Sequence, residues 1–443
     1  MKKRLAILVG ALFASLLMAM AFSTIKTSMA LETPIISLDT VTAYPGETVT
    51  VKVSLANNPG LYAYTLGIDY DETRLSLKSV AKSSEVGGTF AYAEKAVWFH
   101  DAFSDMYADG TIMELTFDVL PTAPSGDATV TVTYGSGDIS DFSEKDVEYT
   151  VQSGKVTVTD KPRFVGANIN IYDELKLQFY AKIDLHPETV YMTAEDPAGV
   201  ITEVKEKTLT SSGYLFYISV DPSKMADNYT VSLTDGTTVY QTITYSVRQC
   251  CNATMSVYGS NTALKTLLSN MLEYGAAAQT YRQHNLSDLA NTPTWVAGSL
   301  TPFTGAENHA QRIGAGDSGA YLYGAALRLD NMVHIQFYVQ SSNSDNLTFK
   351  LYRTASGSSE LQFVKEAPVQ NGLYLIEGDS LKYYELDDTY TGILMRDGTE
   401  IQRIVYDVES FVFSTMNNTA YPGLADMSKR LFVYGQQCKS YKK

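Results

Sequence analysis

NPGLYAYTLGIDYD, residues 58–71, reads as a β-strand entered through a Pro-Gly turn, and its two faces differ sharply. Side chains alternate across a strand, so Tyr62, Tyr64, Leu66, Ile68 and Tyr70 share one side and Ala63, Thr65, Gly67 and Asp69 the other. The first set is a core face. The second belongs where a solvated strand carries Lys or Glu, yet its middle is small and almost flat.

The neighbouring sequence has the same period. ETVTVKVSL (47–55), RLSLKSV (74–80), KAVWF (95–99), TIMELTFDVL (111–120) and ATVTVTY (128–134) alternate between Pro, Gly and Asp turns, and no long helical pattern interrupts them. Short strands at this spacing predict a mainly β chain whose first module, residues 31–160, is a jelly-roll β-sandwich. Asp160-Lys161-Pro162 marks its end.

Beyond that boundary the sequence is duplicated. GANINIYDELKLQFYAKI (166–183) matches GAALRLDNMVHIQFYVQS (324–341), with Gln178-Phe179-Tyr180 over Gln336-Phe337-Tyr338. TDGTTVYQTITYSV (234–247) matches RDGTEIQRIVYDV (396–408), and Tyr274-Gly275 falls over Tyr434-Gly435. Three matches in one order define a repeated unit. Leu264, Leu267, Leu268, Met271, Gly275 and Ala278 in the first copy, and Leu424, Met427, Leu431, Tyr434 and Cys438 in the second, recur at helical spacing. Each β-rich unit, 163–284 and 318–443, is therefore expected to close with a C-terminal α-helix, with 285–317 as the linker.

Met1-Lys2-Lys3-Arg4, an apolar run from Leu5 to Phe22 and Ser28-Met29-Ala30 read as a secretory signal over residues 1–30, with a retained membrane anchor as the alternative because the run is long enough to approach a span. Its removal deletes Lys2, Lys3, Arg4 and Lys26 and takes the formal net charge from −15 to −19. The expectation is a secreted, extracellular chain, cell-surface associated or free, with no membrane insertion after cleavage. Such an acidic chain has little attraction for nucleic acid. Cys250, Cys251 and Cys438 are too few for a disulfide framework and read as small buried apolar residues. The five histidines are scattered, and His334, replacing Lys176 of the sister copy, reads as a solvated surface residue. No metal-ligand spacing, nucleophile elbow or phosphate loop is present, so no catalytic residue, metal or cofactor is indicated and the chain reads as non-enzymatic.

PIISLDTVTAYPGETVTVKVSLANNPGLYAYTLGIDYDETRLSLKSV (34–80) resembles the opening half of a cohesin domain, the receptor module of cellulosome scaffolds. The resemblance rests on the PGETVTV strand, the Asn-Asn-Pro-Gly turn, and Tyr70-Asp71 followed by a Leu-x-Leu strand, and extends more loosely to about Thr159. It implies a jelly roll that binds the paired helices of a dockerin on one flat sheet face. In that family the outward residues of the strand equivalent to 61–70 lie in the interface, which gives the bare side a purpose. Ala63, Thr65 and Gly67 are the implied contact row, with Trp98 and Asp101 on the neighbouring interface strand. Cohesins often place Asn and Asp on this row, whereas here only Thr65 retains a hydrogen-bonding group. The alternative occupants are the chain's own C-terminal units. The implied role is assembly in extracellular polysaccharide breakdown, with a dockerin-type partner. Direct glycan binding through exposed tyrosines, of which the chain has 31 in all, is the second reading.

Overall fold

A computed structural model of the chain describes residues 33–292 and 300–442. The signal sequence expected over 1–30 lies outside the described residues. Contacts divide the chain into two units, Met1–Lys161 and Pro162–Lys443.

In the first unit the alternating Val, Thr and Leu runs form twelve strands: β1 (Ile35–Leu38), β2 (Thr40–Ala43), β3 (Thr48–Ala56), β4 (Ala63–Tyr70), β5 (Leu75–Lys82), β6 (Thr89–Tyr92), β7 (Ala96–Phe99), β8 (Gly110–Val119), β9 (Gly126–Thr133), β10 (Ile139–Ser140), β11 (Thr150–Gln152) and β12 (Gly154–Val158). They make two sheets, β11-β1-β3-β8-β5 and β2-β12-β9-β4-β7-β6, with β10 also paired to β4. The inner rows meet in one core that includes Val51, Val53, Leu66, Leu115, Phe117, Val130 and Val156. The chain crosses between sheets at Asp39 and again at Ser153, so β1/β2 and β11/β12 are each a strand bent around a corner. Gly154 is required there, because a Cβ would collide with the Asp39 carbonyl.

The second unit contains both copies of the repeat, built around a shared core. In copy one Lys176–Lys182 pairs with Arg163–Asn170 and Gly213–Ser219, facing a second sheet through Tyr191–Glu195 and Tyr229–Thr234. Copy two repeats this with Val333–Ser341 between Ala320–Leu329 and Gly372–Leu381, facing Leu347–Thr354 and Thr389–Arg396. Within 285–317, Ala290 is buried, its N–H donating to Gln279 Oε1 at 2.7 Å, and Gln311–Ile313 pairs with Thr399–Tyr406.

Among the described residues each copy carries two α-helices, the expected closing helix and a shorter one before it. α1 (Val247–Tyr258) and α2 (Thr262–Arg282) follow the strands of copy one; α3 (Val408–Met416) and α4 (Leu424–Lys442) follow those of copy two. Ser246 caps α1 by accepting from the Gln249 N–H, and Asp407 caps α3 by accepting from the Ser410 N–H. α2 and α4 are the helices expected from the apolar periodicity. They meet through Tyr274 and Tyr434, whose rings stack at 6.2 Å. The glycine after each tyrosine lets its helix approach a turn: a Cβ at Gly275 would stand 2.6 Å from Met225 Sδ, and one at Gly435 2.7 Å from Leu386 Cδ1. The Tyr-Gly pair recurs because both halves are used.

Among the described residues no helix is long and apolar enough to cross a membrane. Cys250, Cys251 and Cys438 are buried free thiols, and burial pushes Cys250 up to about 11 and Cys438 up to about 12. His334 departs from its expected surface position. It is only 7% exposed, with Nδ1 3.6 Å from Glu377 and 3.4 Å from the Gly378 carbonyl.

Candidate functional site: the outer face of the N-terminal sheet

β4 runs through the middle of its sheet, and the register fixes what stands outside it. Tyr64 and Leu66 point into the core, so Ala63, Thr65 and Gly67 face outward. Across one flank, Ala63 pairs with Phe99 and Phe99 with Thr89; in the next row Thr65 pairs with Val97 and Val97 with Ala91. Across the other flank Ser140 pairs with Ala63, and Thr133 with Gly67. The outer surface of β10, β4, β7 and β6 is thus a quilt of Ala, Thr, Val and Phe. Gly67 is bare but not empty: Thr133 Oγ1 occupies the place a Cβ would take, 2.6 Å from it.

Trp98 is not on this face. It is 1% exposed, stacks on Tyr64 at 5.4 Å and donates from Nε1 to the Gly87 carbonyl at 2.8 Å. Gly88, at φ +88°, is needed beside it, since a Cβ would collide with the indole. The residues either side of Trp98 take the outward places instead: Val97 is 42% exposed and Phe99 45%. Asp101 is exposed at the rim and accepts a hydrogen bond from Thr89 Oγ1 at 2.9 Å. Val97 and Phe99 were not singled out from sequence, although the alternation in KAVWF contains them, and Thr89 and Ala91 lie outside the strand stretches read there.

The loop after β7 extends the apolar surface. Met106 is tied to Leu61 by two backbone hydrogen bonds, and Asn58 Nδ2 donates to the Met106 carbonyl at 2.8 Å. Asp105 accepts from the Phe142 N–H, and the Phe142 ring meets Tyr62 edge-on at 5.1 Å. Among the described residues of this unit, the exposed large apolar side chains are Tyr92, Val97, Phe99, Phe103, Tyr107 and Phe142. All of them belong to β6, β7 or these adjoining loops. Beside these rows Asp138, whose carbonyl accepts from the Thr65 N–H at 2.7 Å, sets its carboxylate 3.7 Å from Lys95 Nζ, and the rest of the surface offers apolar area and hydroxyl groups. Elsewhere the acidic pairs Asp69/Asp71 and Asp387/Asp388 are partly committed, Asp71 to Arg74, Asp387 to Lys439 and Asp388 to Arg353.

The sequence model of the Cohesin domain family matches residues 35–158. The sixth cohesin of Acetivibrio cellulolyticus scaffoldin B, solved in complex with the Cel5 dockerin, is 25% identical with a TM-score of 0.26, the match spanning 29% of this chain and 99% of that one. CaCohA2 of Clostridium acetobutylicum is 25% identical over 29% of this chain and 92% of its own, with a TM-score of 0.25. A non-cellulosomal cohesin from the archaeon Archaeoglobus fulgidus is 18% identical over 29% and 91%, with a TM-score of 0.25. No curated protein matches the chain. On the family match, carried by a two-sheet sandwich of the implied kind, residues 35–158 are a cohesin domain.

Proposed function

We propose that the cohesin domain binds a helical, dockerin-type protein module on the outer face of β4, β6 and β7, and that the chain is a secreted, non-catalytic assembly protein of extracellular polysaccharide breakdown. The observation that carries this reading is the distribution of exposed apolar side chains. Those of the N-terminal unit gather on one face and its rim, while the middle of that face is kept flat by Ala63, Thr65 and Gly67. A concentrated, flat apolar patch on a folded domain is the signature of a contact surface. Burying a side chain such as Val97 or Phe99 fully contributes roughly 1.5–3 kcal/mol. This face therefore holds its partner chiefly by apolar contact, with Thr65 as a hydrogen-bonding residue near its centre.

The test immobilises the full chain and captures dockerin-bearing proteins secreted by the same cell, in parallel with Thr65→Arg and Val97→Asp. Either substitution sets a charge in the contact, and capture should fall by about a hundredfold, as expected when an unpaired charge is buried. Equal capture by parent and both variants would move the interface elsewhere. Failure to hold any dockerin-bearing protein would remove the reading.

A further inference from the structure

Duplication makes the C-terminal unit its own control, because surface residues that serve no purpose drift apart between copies. In each copy the Gln-Phe-Tyr strand is the middle of its sheet, and its Phe, Phe179 or Phe337, is fully buried. Alternation then puts Gln and Tyr on the opposite face. In copy one, Tyr180 lies between Gly166 and Leu215, and Gln178 between Asn168 and Tyr217. In copy two, Tyr338 lies between Gly324 and Leu375, and Gln336 between Ala326 and Glu377. Gly, Tyr, Leu and Gln recur in the same four places, while their neighbours on the same face have changed.

Each glycine closes a β-bulge, after Val165 in copy one and after Tyr323 in copy two, but the bulge does not itself exclude a side chain there. Neither has a positive φ, and no atom lies within 4 Å of where a Cβ would stand. Their effect is to leave the side of the adjoining tyrosine bare. Leu375, on its other side, is 45% exposed, and Tyr323 beside Gly324 is 62% exposed. Next to this apolar strip, in copy two, the amide is held in one orientation. Gln336 Nε2 donates to Glu377 Oε2 at 2.8 Å, and Gln336 Oε1 accepts from Tyr338 O–H at 3.0 Å. Glu377 is in turn gripped by Arg328 at 2.8 and 2.9 Å.

The half-buried Tyr338 ring thus stands beside the nearly buried Gln336 amide, to which its hydroxyl is hydrogen-bonded, and beside the more exposed Arg328–Glu377 pair. A pyranose ring needs that combination: an aromatic face for its axial C–H groups and fixed polar groups for its equatorial hydroxyls. A protein partner would favour a face whose centre is depleted of charge, whereas this one keeps the Arg328–Glu377 pair. We infer that the sheet faces around Gln178/Tyr180 and Gln336/Tyr338 are a duplicated pair of glycan sites for a polysaccharide of pyranose units, separate from the protein-docking face of the cohesin domain.

The test is affinity electrophoresis of the full chain through gels containing hydroxyethylcellulose, xylan, lichenan or galactomannan. The parent should be retarded by at least one of them. Tyr180→Ala or Tyr338→Ala should each weaken the retardation, the pair together should abolish it, and Thr65→Arg should leave it unchanged. Gly166→Leu combined with Gly324→Leu adds side chains into open space, so it should abolish retardation without moving the thermal midpoint. No retardation in any gel, or a parent-like double-tyrosine or double-leucine variant, overturns the inference.

Discussion

The two copies of the repeat differ in opposite ways at different places, and the kind of difference separates positions that need a property from positions that need a residue. Tyr229 and Tyr390 occupy matching points, each paired across the sheet to Tyr245 or Tyr406. Arg353 faces Tyr390, and Asp196, one step beyond the Glu195–Thr230 pair, faces Tyr229. Copy one sets Lys224 against Asp196 at 3.8 Å; copy two sets Glu385 against Arg353 at 3.2 Å. The signs are reversed, so the site requires only opposite charges. Core volumes are exchanged in the same spirit. Met192, Ala194 and Val231 of copy one correspond, by register, to Phe349, Leu351 and Gly392 of copy two. The outward Gln and Tyr show neither reversal nor exchange, and that contrast is what marks them as chemical rather than architectural.

The volume exchange gives the largest expected effect. A Cβ at Gly392 would stand 2.6 Å from Phe349 Cζ and 2.7 Å from Phe337 Cδ1. Gly392→Val should therefore destabilise the second unit by about 3 kcal/mol in urea unfolding, as overpacking of a filled core does. Adding Phe349→Met and Leu351→Ala, the copy-one residues, should recover most of the loss. A single variant with an unchanged midpoint would mean that the two cores are not alternative solutions of one design.

The charge pairs come next. Arg353 also holds Asp388, a nearly buried carboxylate that accepts from the Ser356 N–H at 2.8 Å. Arg353→Ala leaves that carboxylate short of a cation and should cost about 2 kcal/mol. Lys224→Ala removes a longer and more exposed contact and should cost less than about 1 kcal/mol. Equal losses in the two copies would show that the reversed pairs carry the same weight.

The smallest effect concerns the caps of α1 and α3. Copy one caps with the hydroxyl of Ser246, copy two with the carboxylate of Asp407, which also accepts from His309 Nδ1 at 3.0 Å. Burial lowers the His309 pKa, but the Asp407 hydrogen bond, with the charges of Asp407 and Glu409 and a contact to Glu307, outweighs it and raises the value above 6.5. The pair's contribution to stability is therefore complete below pH 6.5 and is lost as the pH rises through the higher folded value. Asp407→Asn keeps the cap and should move the His309 titration, followed by NMR, downward. A titration that does not move would assign the shift to another group.

Much of this was legible in the sequence because the periods are plain. Alternation located the strands of the sandwich, and helical spacing located α2 and α4, whose apolar stripes pack in the shared core. What failed were choices that a period leaves open. In KAVWF both alternating sets are apolar, so Ala96/Trp98 and Val97/Phe99 are equally good inner faces; only the pairing of Trp98 with Tyr64, and the cavity made by Gly87-Gly88, decides it. α1 and α3 are short and rich in polar or β-branched residues, and a helix of that kind owes its existence to packing more than to propensity. A local signal was available in Ser246-x-x-Gln249, the spacing of a capping box. His334 was misplaced because a sister Lys176 suggests solvent, whereas in copy two Glu377 replaces Tyr217 and the imidazole tucks in beside it. The outward row Ala63, Thr65 and Gly67 on β4 could be read from alternation alone, but its apolar flank on β7 needed the register.

Amide hydrogen exchange of the full chain, alone and with a captured dockerin-bearing partner, reads the contact surface directly. Binding on the proposed face predicts added protection confined, in the N-terminal unit, to residues 61–67, 89–92 and 96–107. Protection that leaves these segments unchanged and falls instead on the opposite sheet, β11-β1-β3-β8-β5, would contradict it.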